Sequence, residues 1–294
     1  MSSNATDPAM DAPAMDDTAL WDAHRQLLRT RKGGWVIGEA VYNHGFSMMD
    51  DLVGKHSFFQ VLALNVTGRL PEKRLADWLE ACFICLSWPD ARIWCNQIGA
   101  LAGSVRASPV AAVSAGMLAA DSRLYGPGVL EAAVDFITSA LTKHRQGATP
   151  ENIVSEAFAA FRGKGKAVIV GYARPIATGD ERVVAMERVS RELGFSHGAH
   201  LALAFGIDAV LQREHAESMN LAGYVAAFLS DQGYHREEIY RLHSAWVNSG
   251  VHACYAEARD READTFLPWR CDDIEYKGIP PREWGSHHPR TGTK

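Results

Sequence analysis

The chain has 294 residues, 47% of them hydrophobic and 22% charged, with a formal net charge of −5. That is enough apolar material for a sizeable core in one large or two unequal domains, and the lack of a basic field or a long Lys/Arg run argues against nucleic acid as a partner. Five cysteines, an odd count without a secretory segment, point to a reducing, cytoplasmic setting, and no apolar run reaches the ~18 residues of a membrane span.

Residues 1–19 begin with a stretch rich in Ala, Asp, Met, Ser and Pro that lacks apolar periodicity, and they read as a disordered tail. From Thr18 a short helix through Trp21 and Leu27-Leu28 is predicted, then an extended piece at Trp35-Val36-Ile37 ending at Gly38. Ser57 is N-cap material for a helix that stops at Gly68, with Phe58, Val61, Leu62 and Leu64 among its apolar positions. Pro71 opens the next helix, in which Leu75, Trp78, Leu79, Cys82, Phe83 and Leu86 recur at helical spacing. Cys82 and Cys85 form a Cys-x-x-Cys, but inside an apolar helix without a second pair they read as core.

The tract Ile98 to Ala120 is dominated by small residues and broken only by Pro109, so it reads as two close-packing helices. Helices are then predicted from Leu130 to Lys143 and from Glu151 to Phe161. The loop Arg162-Gly163-Lys164-Gly165-Lys166 lacks P-loop spacing and is either a solvated loop or a phosphate site. Further helices are predicted at Arg182 to Leu193, His200 to Leu211, Leu221 to Gln232 and Arg236 to Arg259. Alternation of period two occurs only in fragments such as Val168-Ile169-Val170, so the fold class is all-α.

Two glycine corners stand out. The first is SRLYGPGVLEAA, from Ser122 to Ala133, where two helices meet at Gly126-Pro127-Gly128. The second, VGYARPIATGDER, runs from Val170 to Arg182. Taken alone, each is an ordinary helix-turn-helix corner or a place where a ligand approaches the main chain. Together, and in order, they resemble the corners GPLHGGAxEAA and GFGHPVYKxxDPR of the citrate synthase superfamily, most closely its short citryl-CoA lyase-like members. The segment from Asp50 to Arg74, containing GRLP, and MNLAGYVAAFLSDQGY from Met219 to Tyr234, set against the family's NVDxxxAAxLxxxG, extend the resemblance over about Trp35 to Gly278.

The resemblance implies a helical dimer with a large domain of residues 20–125 and 220–294 and a smaller inserted domain of 126–219. It implies a coenzyme A thioester and a carboxylate as ligands, and no metal. It also implies two catalytic imidazoles and a carboxylate base, whose positions are occupied here by Tyr125, Arg174 and Ala222. A phenol stays protonated at neutral pH and donates a hydrogen bond to an oxyanion, an arginine grips a carboxylate but shuttles no proton, and an alanine supplies no base.

Arg182 matches the arginine of DPR, one residue early and with Glu181 in place of proline. Arg270 or Arg282 is the candidate for the arginine that the family contributes across its dimer, and Lys164, Lys166 and Gly171 are the candidate coenzyme A contacts. His197 and His200 have i, i+3 spacing but no third ligand, and His215, His243 and His252 read as surface or hydrogen-bonded helix residues. Two readings follow: a carbon–carbon lyase or synthase with a rebuilt site that does not form citrate, and an inactive homologue acting as a ligand sensor or as the partner of an active paralogue. An unrelated helical dimer with purely structural corners is the third.

Overall fold

In the computed structural model, residues 18–25, 30–161, 168–174, 179–265 and 270–280 are described. Residues 1–17, Arg282 and the loop holding Lys164 and Lys166 lie outside them. The elements run α1 (Ala19–His24), β1 (Gly33–Val36), β2 (Ala40–Asn43), β3 (Phe46–Ser47), a π-helical turn (Met48–Leu52), α2 (Phe58–Thr67), α3 (Lys73–Ile84), α4 (Trp94–Ser104) and α5 (Pro109–Ala120). They continue with α6 (Pro127–Arg145), α7 (Pro150–Ala160), α8 (Glu181–Glu192), α9 (Ala199–His215), α10 (Leu221–Asp231), α11 (Arg236–Leu242), α12 (Asn248–Asp260) and a 3-10 turn (Cys271–Asp273). The mostly helical fold predicted by the periodicity is the one observed.

Local chemistry explains where the helices start and stop. The Ser57 hydroxyl accepts from the Gln60 N–H while the Gln60 side chain accepts from the Ser57 N–H, and Gly68 ends α2 in the left-handed region. Thr149 and Asn152 form the same reciprocal cap on α7, with Pro150 in its first turn. Asp180 caps α8 and Asn220 caps α10.

The structure refines the expected elements at three places. The extended piece near Trp35 is the first strand of an antiparallel three-stranded sheet, with Gly33 opposite Asn43, Val36 opposite Ala40 and Tyr42 opposite Ser47. Trp35, Val36 and Val41 stay exposed, so the sequence carries no alternation against a core by which the sheet could be recognised. The isolated alternation at Val168-Ile169-Val170 forms no strand, in keeping with the all-α reading, and Tyr172 N–H turns back to the Ile169 carbonyl there. The helix predicted from Arg236 to Arg259 is broken into α11 and α12. Between them His243 is fully buried, with its ring 4.8 Å from Trp246 and 5.7 Å from Phe83, so tertiary packing overrides helix propensity and takes this histidine off the surface.

The chain divides into two compact units, residues 1–82 with 130–242 and residues 83–129 with 243–294. In the first, the core is an aromatic stack. Trp78 of α3 lies on Phe228 of α10 at 4.0 Å and 8°, with Tyr224 at 6.3 Å, and all three are almost wholly buried. Trp78 Nε1–H donates to the Ser190 hydroxyl at 2.9 Å, which in turn bonds the Tyr224 hydroxyl at 2.8 Å. Trp78→Phe keeps much of the stacking but removes the donor, and urea denaturation is expected to show a loss of about 1–3 kcal/mol, the range for stranding a buried polar group.

In the second unit the small residues of α4 and α5 meet α12. A Cβ at Gly99 would lie 2.7 Å from the Val251 carbonyl, one at Gly103 2.5 Å from the Tyr255 carbonyl, and one at Gly116 2.4 Å from a Val251 methyl. The small-residue tract is therefore explained by packing within the chain. The opposite face of α5 is left exposed, with Val110 76% and Leu118 78% accessible.

Candidate functional site

The second glycine corner and the start of α10 are knitted together by main-chain geometry. Gly171 has φ +87°, and its carbonyl accepts from Asn220 N–H at 2.8 Å. Asn220 does the reciprocal work with its side chain: Nδ2–H donates to the Ala173 carbonyl at 2.8 Å, and Oδ1 accepts from the N–H groups of Ala222 (3.0 Å) and Gly223 (3.2 Å). Gly171 and Gly223 touch backbone to backbone, so that a Cβ on Gly223 would stand 2.3 Å from the Gly171 oxygen.

Asp180 is the electrostatic centre of this corner. Its side chain is fully buried; it accepts from Arg182 Nε–H at 2.8 Å and Nη2–H at 2.7 Å, and from Leu221 N–H at 2.9 Å. Burial pushes the carboxyl pKa up, but the Arg182 pair and the backbone donors outweigh it and hold the group below the ordinary aspartate value. Arg174, 13% exposed, reaches the same acid at 3.6 Å, donates to the Gly179 carbonyl at 3.3 Å and pairs with Glu181 at 2.6 Å. That pairing lowers the Glu181 pKa, with the Arg174 hydrogen bond the main cause.

The structure thus brings Gly171, Arg174, Arg182 and Ala222 into one corner. Ala222 sits on the first turn of α10, half-buried and offering no carboxylate. In the other unit Tyr125 is half-buried with its ring edge-on to Trp94 at 5.3 Å, and Gly126 takes φ +67° hard against the Ala120 carbonyl. Arg270, also in that unit, is exposed beside the 3-10 turn, where its N–H is held by Asp273. His197 bonds Glu187 at 2.8 Å and His200 bonds Asp231 at 2.9 Å, so the two histidines serve different carboxylates.

Three residues of the corner carry more than the sequence indicated. Asn220 was visible as a polar residue before an apolar run, an N-cap signal, but its tie to Ala173 depends on a segment far away in sequence. Asp180 had the same cap signal without any sign that it would gather two arginines. Glu181, the departure from the family's proline, is the acid that meets Arg174.

No family model matches this sequence, and no curated protein matches it. Solved structures do. The citryl-CoA lyase from Hydrogenobacter thermophilus is 25% identical, with a TM-score of 0.71 covering 88% of this chain and 98% of that one. ATP citrate lyase from Methanothrix soehngenii, solved with citrate and coenzyme A, gives 16% identity and a TM-score of 0.70 over 96% of this chain but only 47% of its own. Citrate synthase from Thermotoga maritima MSB8 gives 17% and 0.57 over 77% of this chain and 59% of that one. With its helical fold and its two ordered glycine corners, the chain has a citrate synthase-like fold and is similar to the citryl-CoA lyases of that superfamily.

Proposed function

We propose that the protein is a coenzyme A-dependent carbon–carbon lyase or synthase, with a rebuilt site that does not form citrate and acts on a carboxylate-bearing substrate. The observation that carries this reading is the end-to-end similarity to a citryl-CoA lyase, 25% identical over 98% of that chain. In this reading Tyr125 donates to the thioester or enolate oxygen, Arg174 and Arg182 hold a carboxylate, and Lys164, Lys166 and the Gly171 turn contact coenzyme A. Arg270 reaches the site from a second copy of the chain. The exposed Val110 and Leu118 face of α5 supports the dimer that this requires. An enolate made by carbon–carbon cleavage or decarboxylation needs no residue to remove a carbon-bound proton, which is compatible with Ala222.

The inactive-homologue reading is favoured by a different observation: Arg174 and Arg182 are both engaged by Asp180 and Glu181, and no acid stands at position 222. One experiment separates the two. The full chain is incubated with a panel of branched 3-hydroxy-3-carboxyacyl-CoA and malonyl-type thioesters while binding and release of the cleaved acyl-CoA are followed. Turnover of one class, with no citrate formed from acetyl-CoA and oxaloacetate, is the expected result, and joint Lys164→Ala and Lys166→Ala changes should weaken coenzyme A binding and flatten its salt dependence. Binding without turnover supports the sensor, and robust citrate synthesis refutes the rebuilt site.

A further inference from the structure

Glu181 meets the sheltered Arg174 guanidinium from the solvent side. It opens α8 directly after Asp180, and its side chain is 70% exposed while the arginine it meets is 13% exposed. One of its oxygens lies 2.6 Å from Arg174 Nη1, and the other is 3.5 Å from Nη2. The fork is therefore held by one good bond and one long one, and a carboxylate seated bidentately makes the stronger contact. The other contacts of Arg174, to the Gly179 carbonyl and Asp180, do not involve Glu181, so the guanidinium keeps its place if that acid leaves.

The charges point the same way. Two guanidiniums, Arg174 and Arg182, face two carboxylates, Asp180 and Glu181, and the charges of these four described groups cancel. Asp180 is fully buried and bound to the Leu221 N–H, so it cannot swing out without stranding that donor. Glu181 ends in solvent and can. When it does, these groups are left with one fewer negative charge, and the Arg174 N–H groups that met Glu181 become available. An ion pair with one solvated partner contributes little to stability, so releasing it is a small perturbation of the fold.

We propose that Glu181 is an internal carboxylate latch on Arg174, displaced when a di- or tricarboxylate substrate takes the guanidinium fork, and that it sets which acids the site accepts. The latch rests on the reading above that Arg174 grips a substrate carboxylate. It excludes weak monodentate anions, which cannot outcompete an acid tethered to the same corner, and admits ligands whose second carboxylate adds to the exchange. The resemblance places proline at this position, so the latch is a departure of this chain from that motif.

The test is calorimetric titration of the full chain and its Glu181→Gln, Arg174→Gln and doubly substituted forms with citrate, with sulfate as a simple anion and with coenzyme A in parallel. Thermal melts confirm that each variant is folded. Glu181→Gln is expected to bind citrate at least tenfold tighter than the natural protein, to gain less for sulfate, and to lose the whole gain when Arg174→Gln is added. Equal citrate affinity, absence of citrate binding in both proteins, or an equal gain for sulfate overturns the latch. Coenzyme A binding judges the underlying reading separately: retained without a citrate gain, only the latch falls; absent along with citrate binding, both fall.

Discussion

Asp180→Ala is expected to lower the free energy of unfolding by about 3 kcal/mol. Opening a buried ion pair by removing one partner costs about 3–5 kcal/mol, because the remaining charge is left uncompensated. Here that change removes the carboxylate that Arg182 grips with two N–H groups, loosens Arg174 and frees the Leu221 N–H at the start of α10. The lower end of the range applies because the two arginine side chains, 23% and 13% exposed, can recruit some water. Chemical denaturation at neutral pH checks the figure, and a change below about 1 kcal/mol would show that the arginines do not depend on this acid.

The same group shapes the response to acid. Its pKa is depressed in the folded chain, so the stability it confers is fully present above the unfolded aspartate value of about 3.9 and is lost as pH falls through the folded value. In that window the unfolded chain binds more protons, and stability falls with pH. Asp180→Asn, which cannot be protonated, is expected to flatten this acid limb while keeping the side chain's shape. An unchanged pH slope would assign the acid sensitivity to other carboxylates, of which Asp231, depressed by His200 and two N–H donors despite its burial, is the first to examine.

Gly223→Ala is expected to cost about 3 kcal/mol or more and to leave much of the expressed protein insoluble. Overpacking costs about 1–3 kcal/mol when side chains can shift, and more when they cannot. At 2.3 Å from the new Cβ stands a main-chain carbonyl, that of Gly171, which is already fixed by its bond from Asn220 N–H. No rotamer relieves that contact. Gly34→Ala is the control, since nothing lies within 4 Å of its Cβ, and it should stay within about 0.5 kcal/mol of the natural chain. Equal melting temperatures for the two variants would mean that the corner can open without loss.

What could be read from the sequence was what is local or periodic. The cap at Ser57, the stops at Gly68 and before Gly126, and the apolar stripe through Trp78 all follow from short-range rules, and most helices lie where those rules put them. Beyond the extended piece at Trp35, the sheet escaped because Trp35 and Val41 face solvent and obey no burial pattern. The break at His243 escaped because the helical spacing on either side is continuous and only a buried aromatic cluster interrupts it. In the candidate site, residue types were legible and pairings were not. Arg174 and Glu181 are seven positions apart on an irregular segment, and nothing in their spacing announces that one holds the other.

The glycine seam of α4, α5 and α12 bears on how the chain is made. Gly116 and the methyls of Val251 that cover it are separated by 135 positions (251 − 116). At a synthesis rate of about 5–20 residues per second, α5 leaves the ribosome roughly 7–27 s before its partner helix exists. Through that interval the inner face of α4 and α5 offers flat, backbone-deep contacts to any helix that comes near, including those of neighbouring nascent chains. The other unit has residues 130–242 to complete itself meanwhile, so the order of emergence runs against the order of the chain: the middle closes first, and the earlier helices wait for the late one. Chaperone capture during synthesis would therefore concentrate on α4 and α5, and a synonymous change that slows translation between them and α12 would lengthen the exposure without altering a single residue.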